Sequence, residues 1–218
     1  MHYVMSDIHN DYERFYEMLQ LIGFSKEDHL FIVGDVFDRS LHNPNPVDLY
    51  FKILSLDTRC SMIRGNHDHW LATYILDYYT LPERKRRKFA PYPYNSFSLL
   101  QERLTPIDMQ NLANDILAWP LQEMVEIAGD KYLLGHAMTT MPTNLESENY
   151  YLLGTSDNTS YLQSGIDGYL SIIGHTNTSN GRIWKNDKEN VYIIDCGCGF
   201  RNGKLGCLCL ETMEAFYV

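Results

Sequence analysis

Residues 29–39 read HLFIVGDVFDR, and this stretch decides the fold. The nearly continuous apolar run HLFIV has the character of a strand buried on both faces. It ends in Gly34-Asp35, where glycine allows a close backbone approach and the carboxylate has two oxygens with which to bridge two cations. A second acid, Asp38, and an arginine, Arg39, follow at once.

The same design recurs along the chain. VMSDIHND (4–11) offers Asp7 and His9, and SMIRGNHD (61–68) offers Asn66 and His67. KYLLGHA (131–137) offers His136, and LSIIGHT (170–176) offers His175. Hard oxygen ligands and imidazoles delivered from strand ends can build a two-metal site, and such a site activates water against phosphate esters.

Between the early strands lie helical patterns. Residues 11–22 place Phe15, Met18, Leu19 and Ile22 on one side, and residues 46–56 begin at Pro46, a good first-turn residue. Strand–helix alternation predicts an α/β layered fold with its site at the carboxyl ends of strands. The block 67–118 reads as helices at 67–79, 82–89, 94–104 and 107–118, a helical layer or insertion within a single domain spanning 1–218. After Trp119-Pro120, strands are predicted at 121–128, 131–135, 169–174, 181–185, 190–195, 205–210 and 213–218, with an Asn202-Gly203 turn between two of them. Residues 137–168 hold no Lys or Arg and read as a long loop region.

Composition narrows the classes. With 218 residues, 44% hydrophobic and 21% charged, the chain can build a sizeable core. A net charge of -10 argues against a general nucleic-acid coat and a stable nucleic-acid partner. The first apolar run is cut short by Asp7 and His9, so it does not read as a secretion signal, and no apolar stretch is long enough to cross a membrane. The expectation is a cytoplasmic protein. The clustering of Cys196, Cys198, Cys207 and Cys209, with Cys60 alone, does not suit a disulfide framework. The Cys-x-Cys pairs read as small buried strand residues rather than a zinc site.

SDIHND, GDVFDRS, RGNHD, GHA and GHT, in this order, resemble the metallophosphoesterase superfamily and within it the phosphoprotein phosphatase branch. That branch includes bacterial serine/threonine phosphatases and symmetrical dinucleoside tetraphosphatases. The resemblance runs from Ser6 to about Gly199. It implies a four-layer α/β/β/α sandwich of two mixed sheets with flanking helices and a dinuclear centre at the strand ends. Asp7, His9 and Asp35 would hold one metal; Asp35 would bridge to a second, completed by Asn66, His136 and His175. His67 would protonate the leaving oxygen, oriented by Asp38, and Arg39 and Arg64 would grip the phosphate oxygens. The implied cofactors are two divalent ions, Mn²⁺ ahead of Fe²⁺ or Zn²⁺. A water between them would be deprotonated near neutral pH and attack phosphorus in line.

Some positions depart from the family pattern. Ser40 and Met138 stand where glycine is frequent, and Asp68 stands where the protein phosphatases have glutamate. Residues 137–174 lack the further arginine of some relatives, a task left to Arg182 or Arg201. His2, His29, His42 and His69 match no motif and read as strand or surface residues, and Asp11 reads as a helix cap.

The implied activity is hydrolysis of phosphate monoesters, with phosphorylated serine or threonine of a protein as the first substrate and a dinucleoside polyphosphate as the alternative. A non-catalytic scaffold would be expected to lack some ligands, and none is missing. The run Arg84-Lys85-Arg86-Arg87-Lys88 reads as a solvated helix face or, alternatively, a basic lip for a polyanion. Tyr78, Tyr79, Tyr92 and Tyr94 near it could stack on a base or simply pack the helical layer.

Overall fold

Three of the motif-bearing runs form parallel neighbours. In the computed structural model, which describes residues 1–40 and 43–218, strand β1 is His2–Met5, β2 is His29–Val33 and β3 is Cys60–Ile63. Helix α1 (Tyr12–Leu21) connects β1 to β2, and α2 (Pro46–Leu54) connects β2 to β3. Asp11 caps α1 by accepting from the Arg14 N–H, as expected, and Asn45 does the same for α2. His42 lies outside the described residues.

The helical block comprises α3 (Asn66–Thr80), α4 (Glu83–Arg86), α5 (Ser96–Gln101) and α6 (Pro106–Ala118). Then come β4 (Gln122–Ile127), β5 (Asp130–Gly135), α7 (Glu148–Leu153), α8 (Thr159–Ser164), β6 (Leu170–Ile173), β7 (Trp184–Lys185), β8 (Val191–Ile193), β9 (Gly206–Cys209) and β10 (Ala215–Tyr217). The segment 137–168, expected as loop, thus carries two short helices. Ser147 caps the first, and Gly154 and Gly165 end them at positive φ, local signals that a long polar stretch obscures.

Two mixed sheets result. One has the order β10-β9-β1-β2-β3 and the other β4-β5-β6-β8-β7. Strand alternation decides their contacts. Val4, Phe31, Val33 and Ile63 face the second sheet, where they meet Tyr132, Leu134, Ile172 and Ile194. Tyr3, Met5, Leu30 and Ile32 point the other way, into a larger core with Phe15, Leu71, Ile75, Met109 and Ile116 from the helices. The block 67–118 therefore shares the core of the first sheet. On the outer side of the second sheet, Ser171 meets Thr139, which also bonds the Tyr161 hydroxyl of α8. This is the α/β/β/α sandwich the motifs implied. No helix of the described residues is long and apolar enough to cross a membrane.

The cysteines are all free, and Cys196, Cys198, Cys207 and Cys209 are buried. Cys207 and Cys209 lie in β9 as expected, whereas Cys196 and Cys198 sit in the turn after β8. Among the described residues, no candidate metal-binding group includes a cysteine.

Candidate metal centre

The parallel strands of both sheets end on one rim, and each is followed within three residues by a polar ligand type, buried in every case but the half-buried His175. Asp7 follows β1, Asp35 follows β2, Asn66 follows β3, His136 follows β5 and His175 follows β6. Sharp exits are needed to turn these side chains inward. Asp7, His9, Asn10, Asp35, Asp38, Arg39 and His175 all have positive φ, between 51° and 73°. Each left-handed non-glycine residue costs on the order of 1–3 kcal/mol, so the strain is concentrated where the ligands gather. Gly34, at φ +90°, lies so close to Gly65 that a Cβ would fall 2.7 Å from the Gly65 Cα. Only glycine fits there.

Two groups of ligand atoms converge and share one residue. Asp7, His9 and Asp35 form one, and Asp35, His136 and His175 the other. The His9 Nε2 faces Asp7 Oδ1 at 3.7 Å and Asp35 Oδ2 at 4.0 Å, and the His136 Nε2 faces Asp35 Oδ1 at 3.4 Å. The Asn66 amide lies 2.9 Å from His136 Nε2 and 2.8 Å from His175 Nδ1. Turned one way the amide presents its oxygen to both rings as a ligand would; turned the other way its NH₂ donates to both. A cation favours the first.

The donor set fits divalent metal. Asp7 Oδ1 and His9 Nε2 are buried without a hydrogen-bond partner, an expensive arrangement unless something positive lies between them. The His9 Nδ1 lies 3.1 Å from the Phe37 carbonyl, and the His136 Nδ1 lies 3.0 Å from the Val33 carbonyl. Donation there fixes each ring and turns Nε2 toward the carboxylates.

Electrostatics agree. Burial, resisted by the charge of Asp35, drives His9 down to about 3, and burial with the charge of His136 drives His175 down to about 4, so both rings are neutral and able to coordinate. Burial pushes Asp7 up to about 6. Burial opposes charge on His136, but Asp35 and Asp7 outweigh it and raise the ring to about 10; Asp35 in turn is held well below the usual carboxylate range, chiefly by His136 against its own burial. In the metal-free protein, a proton on His136 thus takes part of the role of a cation.

His67 stands beside this centre. Its Nδ1 is 3.2 Å from Asp38 Oδ2, and its Nε2 is 2.7 Å from the Arg39 Nη2. The Arg39 guanidinium also lies over the Phe200 ring, 5.1 Å from its centroid. Arg64 has partners of its own: its Nη2 pairs with Glu148 at 2.8 Å, and its Nη1 lies 3.4 Å from His69 Nδ1. His69 thus belongs to α3 beside Arg64, and is neither a strand residue nor fully exposed. Arg182, considered as a substitute phosphate ligand, packs over Tyr217 at 5.4 Å, and Arg201 is exposed.

Sequence reasoning missed five supporting residues. Asp68 accepts from four backbone N–H groups, those of Asp35, Val36, Phe37 and Gly65, at 2.8–3.2 Å, and so shapes the loop that carries Asp35. The Ser96 hydroxyl accepts from the Asp38 N–H at 2.6 Å and bonds the Asn10 amide, tying α5 to two motifs. Tyr92 donates its hydroxyl to Asp38 Oδ2 at 2.6 Å. Glu148 occupies Arg64, as described. Asp195 is buried after β8, where burial and the charge of Asp7 raise its carboxyl. Asp195 had a readable signal, an acid ending the apolar run VYII, as Asp7 and Asp35 end theirs.

This fold, with imidazoles turned toward a carboxylate that two ligand groups share on its strand rim, has the frame of a metal-binding phosphoesterase. The chain belongs to the calcineurin-like phosphoesterase family, whose profile matches residues 3–197. It is similar to the symmetrical bis(5'-nucleosyl)-tetraphosphatase of Nitrosomonas europaea, 36% identical over 72 residues, which is 32% of this chain and 26% of that protein. The match thus spans about a quarter of that curated relative. A solved structure provisionally described as a diadenosine tetraphosphatase superposes with a TM-score of 0.67 at 15% identity, covering 100% of this chain and 92% of that one. A protein serine/threonine phosphatase of Saccharomyces cerevisiae gives 0.55 at 12% identity, covering 100% and 78%. At such identities these two likenesses speak to the fold alone.

Proposed function

We propose that the chain is a hydrolase of symmetrical dinucleoside polyphosphates, using two divalent metal ions. The observation that carries the reaction is the pair of buried ligand clusters sharing Asp35, with unpartnered atoms turned inward. The sequence likeness to a symmetrical tetraphosphatase supports the nucleotide substrate over a phosphoprotein. Asp7, His9 and Asp35 would hold one ion, and Asp35, Asn66, His136 and His175 the other; Mn²⁺ would suit this mixed nitrogen and oxygen set. When bound, the ions supply Lewis acidity toward phosphoryl oxygens and lower the pKa of water.

The protein's own groups do the rest. Asp38 holds His67 through Nδ1, and Tyr92 donates to the same carboxylate oxygen, Oδ2. Arg39 rests on His67 Nε2, and a phosphoryl group offers its guanidinium fork a better partner. As Arg39 turns to the phosphate, Nε2 is freed. The freed Nε2 then takes up a proton from solvent and passes it to the leaving phosphate oxygen, while the attacking water gives up one proton to solvent, so that water and a dinucleoside tetraphosphate yield two nucleoside diphosphates.

The test is a side-by-side assay of Mn²⁺-loaded protein on diadenosine tetraphosphate, a phosphothreonine peptide and an aryl phosphate, with Asp35→Asn and His67→Asn as controls. Preference for diadenosine tetraphosphate, with two ADP as products, is expected. A preference for the peptide would move the protein to the phosphoprotein phosphatases, and no turnover above the Asp35→Asn background on any substrate would end the enzymatic reading.

A further inference from the structure

Trp70 and Tyr94 form an aromatic shelf directly against His67. Their ring centroids lie 5.0 Å and 4.6 Å from the imidazole, each tilted to it by about the same angle, 64° and 63°. The two rings are near-parallel, 4° apart in plane, with centroids separated by 6.3 Å. His67 is 1% exposed, yet Trp70 beside it is 37% exposed. A large indole left open at the rim of a buried polar site is a contact surface in waiting.

The shelf opens a cavity of about 390 Å³, within the range of small-molecule sites. Trp70, Thr73, Tyr74 and Asp77 share one face of α3 by helical spacing, and Pro93 and Tyr94 form the opposing wall. From His67 to Asp77 the helix advances about 15 Å, so the cavity leads away from the candidate acid by several bond lengths.

We propose that this cavity binds the nucleobase of the departing nucleotide. The inference rests on the nucleotide reading above. Whatever is bonded to the leaving oxygen departs on the side of the group that protonates it, and the first surfaces there are Trp70 and Tyr94. Bases stack on indole and phenol faces whatever their sequence identity. Asp77 and Thr73 supply an acceptor and a hydroxyl for the base edge farther in. Of the run 84–88, Arg86 and Arg87 line a separate cavity with Tyr78 and Tyr79.

The competing role is structural, with the rings merely bracing His67. Hydrolysis of diadenosine tetraphosphate and of inorganic tripolyphosphate, which has no base, separates the two. In Trp70→Ala and Tyr94→Leu, the ratio of kcat/KM for the nucleotide to that for tripolyphosphate falls about 5- to 150-fold, mostly through KM, as loss of a stacking aromatic implies. Trp70→Phe, which keeps a stacking ring, restores most of the ratio. An equal fall on both substrates overturns the proposal. Calorimetric binding of ADP, which needs no turnover, separates this idea from the substrate reading. Weaker ADP binding in Trp70→Ala supports the shelf even if the wild-type protein cleaves no dinucleotide. Equal ADP binding in wild type and variant, or none in either, overturns the shelf whatever the hydrolysis assays give.

Discussion

Replacing Tyr92 with phenylalanine removes one oxygen atom and leaves the ring among Tyr74 and Tyr94, 4.9 and 5.7 Å away between centroids. That oxygen donates the 2.6 Å hydrogen bond to Asp38. Asp38 is 0% exposed, so no bulk water replaces the lost donor. Its Oδ1 already lacks a partner, and its remaining side-chain contact is His67 at 3.2 Å. Burial, with the charge of Asp38, pushes the Tyr92 hydroxyl far above the ordinary tyrosine range, so it remains a donor at every working pH. A hydrogen bond to a charged group contributes about 1.5–3 kcal/mol. For a domain of this size each kcal/mol moves Tm by about 2–4 °C, so Tyr92→Phe lowers Tm by about 3–12 °C in thermal denaturation monitored by circular dichroism. Because Asp38 orients His67, kcat on diadenosine tetraphosphate falls as well, by about tenfold if 1.4 kcal/mol of that energy is expressed in the transition state. KM changes little, since the hydroxyl touches no phosphate ligand. A variant with a Tm within about 1 °C of wild type would show that the 2.6 Å contact carries none of the assigned energy. An unchanged kcat beside a lowered Tm would make Tyr92 a purely structural residue.

Three further outcomes follow from the same geometry. Because Asp35 and Asp7 overcome burial to raise His136 to about 10, the metal-free protein carries that proton at neutral pH, and loading Mn²⁺ releases it; calorimetric heats that vary with buffer ionisation enthalpy would measure the release, and invariant heats would contradict the assignment. Glu148→Gln breaks the 2.8 Å pair with Arg64, whose partner is half-exposed and worth about 0.2–1 kcal/mol, so KM for an anionic substrate falls about 1.5- to 5-fold in steady-state assays. Neutralising Arg84, Lys85, Arg87 and Lys88 changes kcat/KM on nucleotides by less than about twofold at physiological salt, because α3 carries the chain roughly 20 Å from His67 to Thr80, beyond a screening length of about 8 Å. Arg86 is kept in that variant, since it lies over the Tyr78 and Tyr79 rings and donates to the Leu81 and Tyr79 carbonyls.

The fold and the ligand types were legible because they depend on local pattern. Apolar runs such as HLFIV become strands wherever they find neighbours, and the residue that ends each parallel strand must emerge on the same rim. Their positions at strand ends mark Asp7, Asp35, Asn66, His136 and His175 as candidate ligand types, with His9 close behind Asp7; the resemblance implies their assignment to metals, and Asp195 is readable by the same rule. Tyr92, Ser96, Asp68 and Glu148 are not. Their partners lie 33 to 86 residues away or depend on which oxygen of a carboxylate faces which N–H, and nothing in the local pattern encodes that. The pairing of Arg64 belongs to the same class: its sequence places it beside Asn66, but the helix that starts at Glu148, in a stretch that reads as loop, supplies the carboxylate it pairs with. The sequence alone determined which chemistry the strand ends can carry. The tertiary structure decided how Arg39, Asp38 and Tyr92 surround His67, and that Trp70 and Tyr94 meet there, because those contacts form only when α3 and the segment 90–95 fold back onto one another beside the rim.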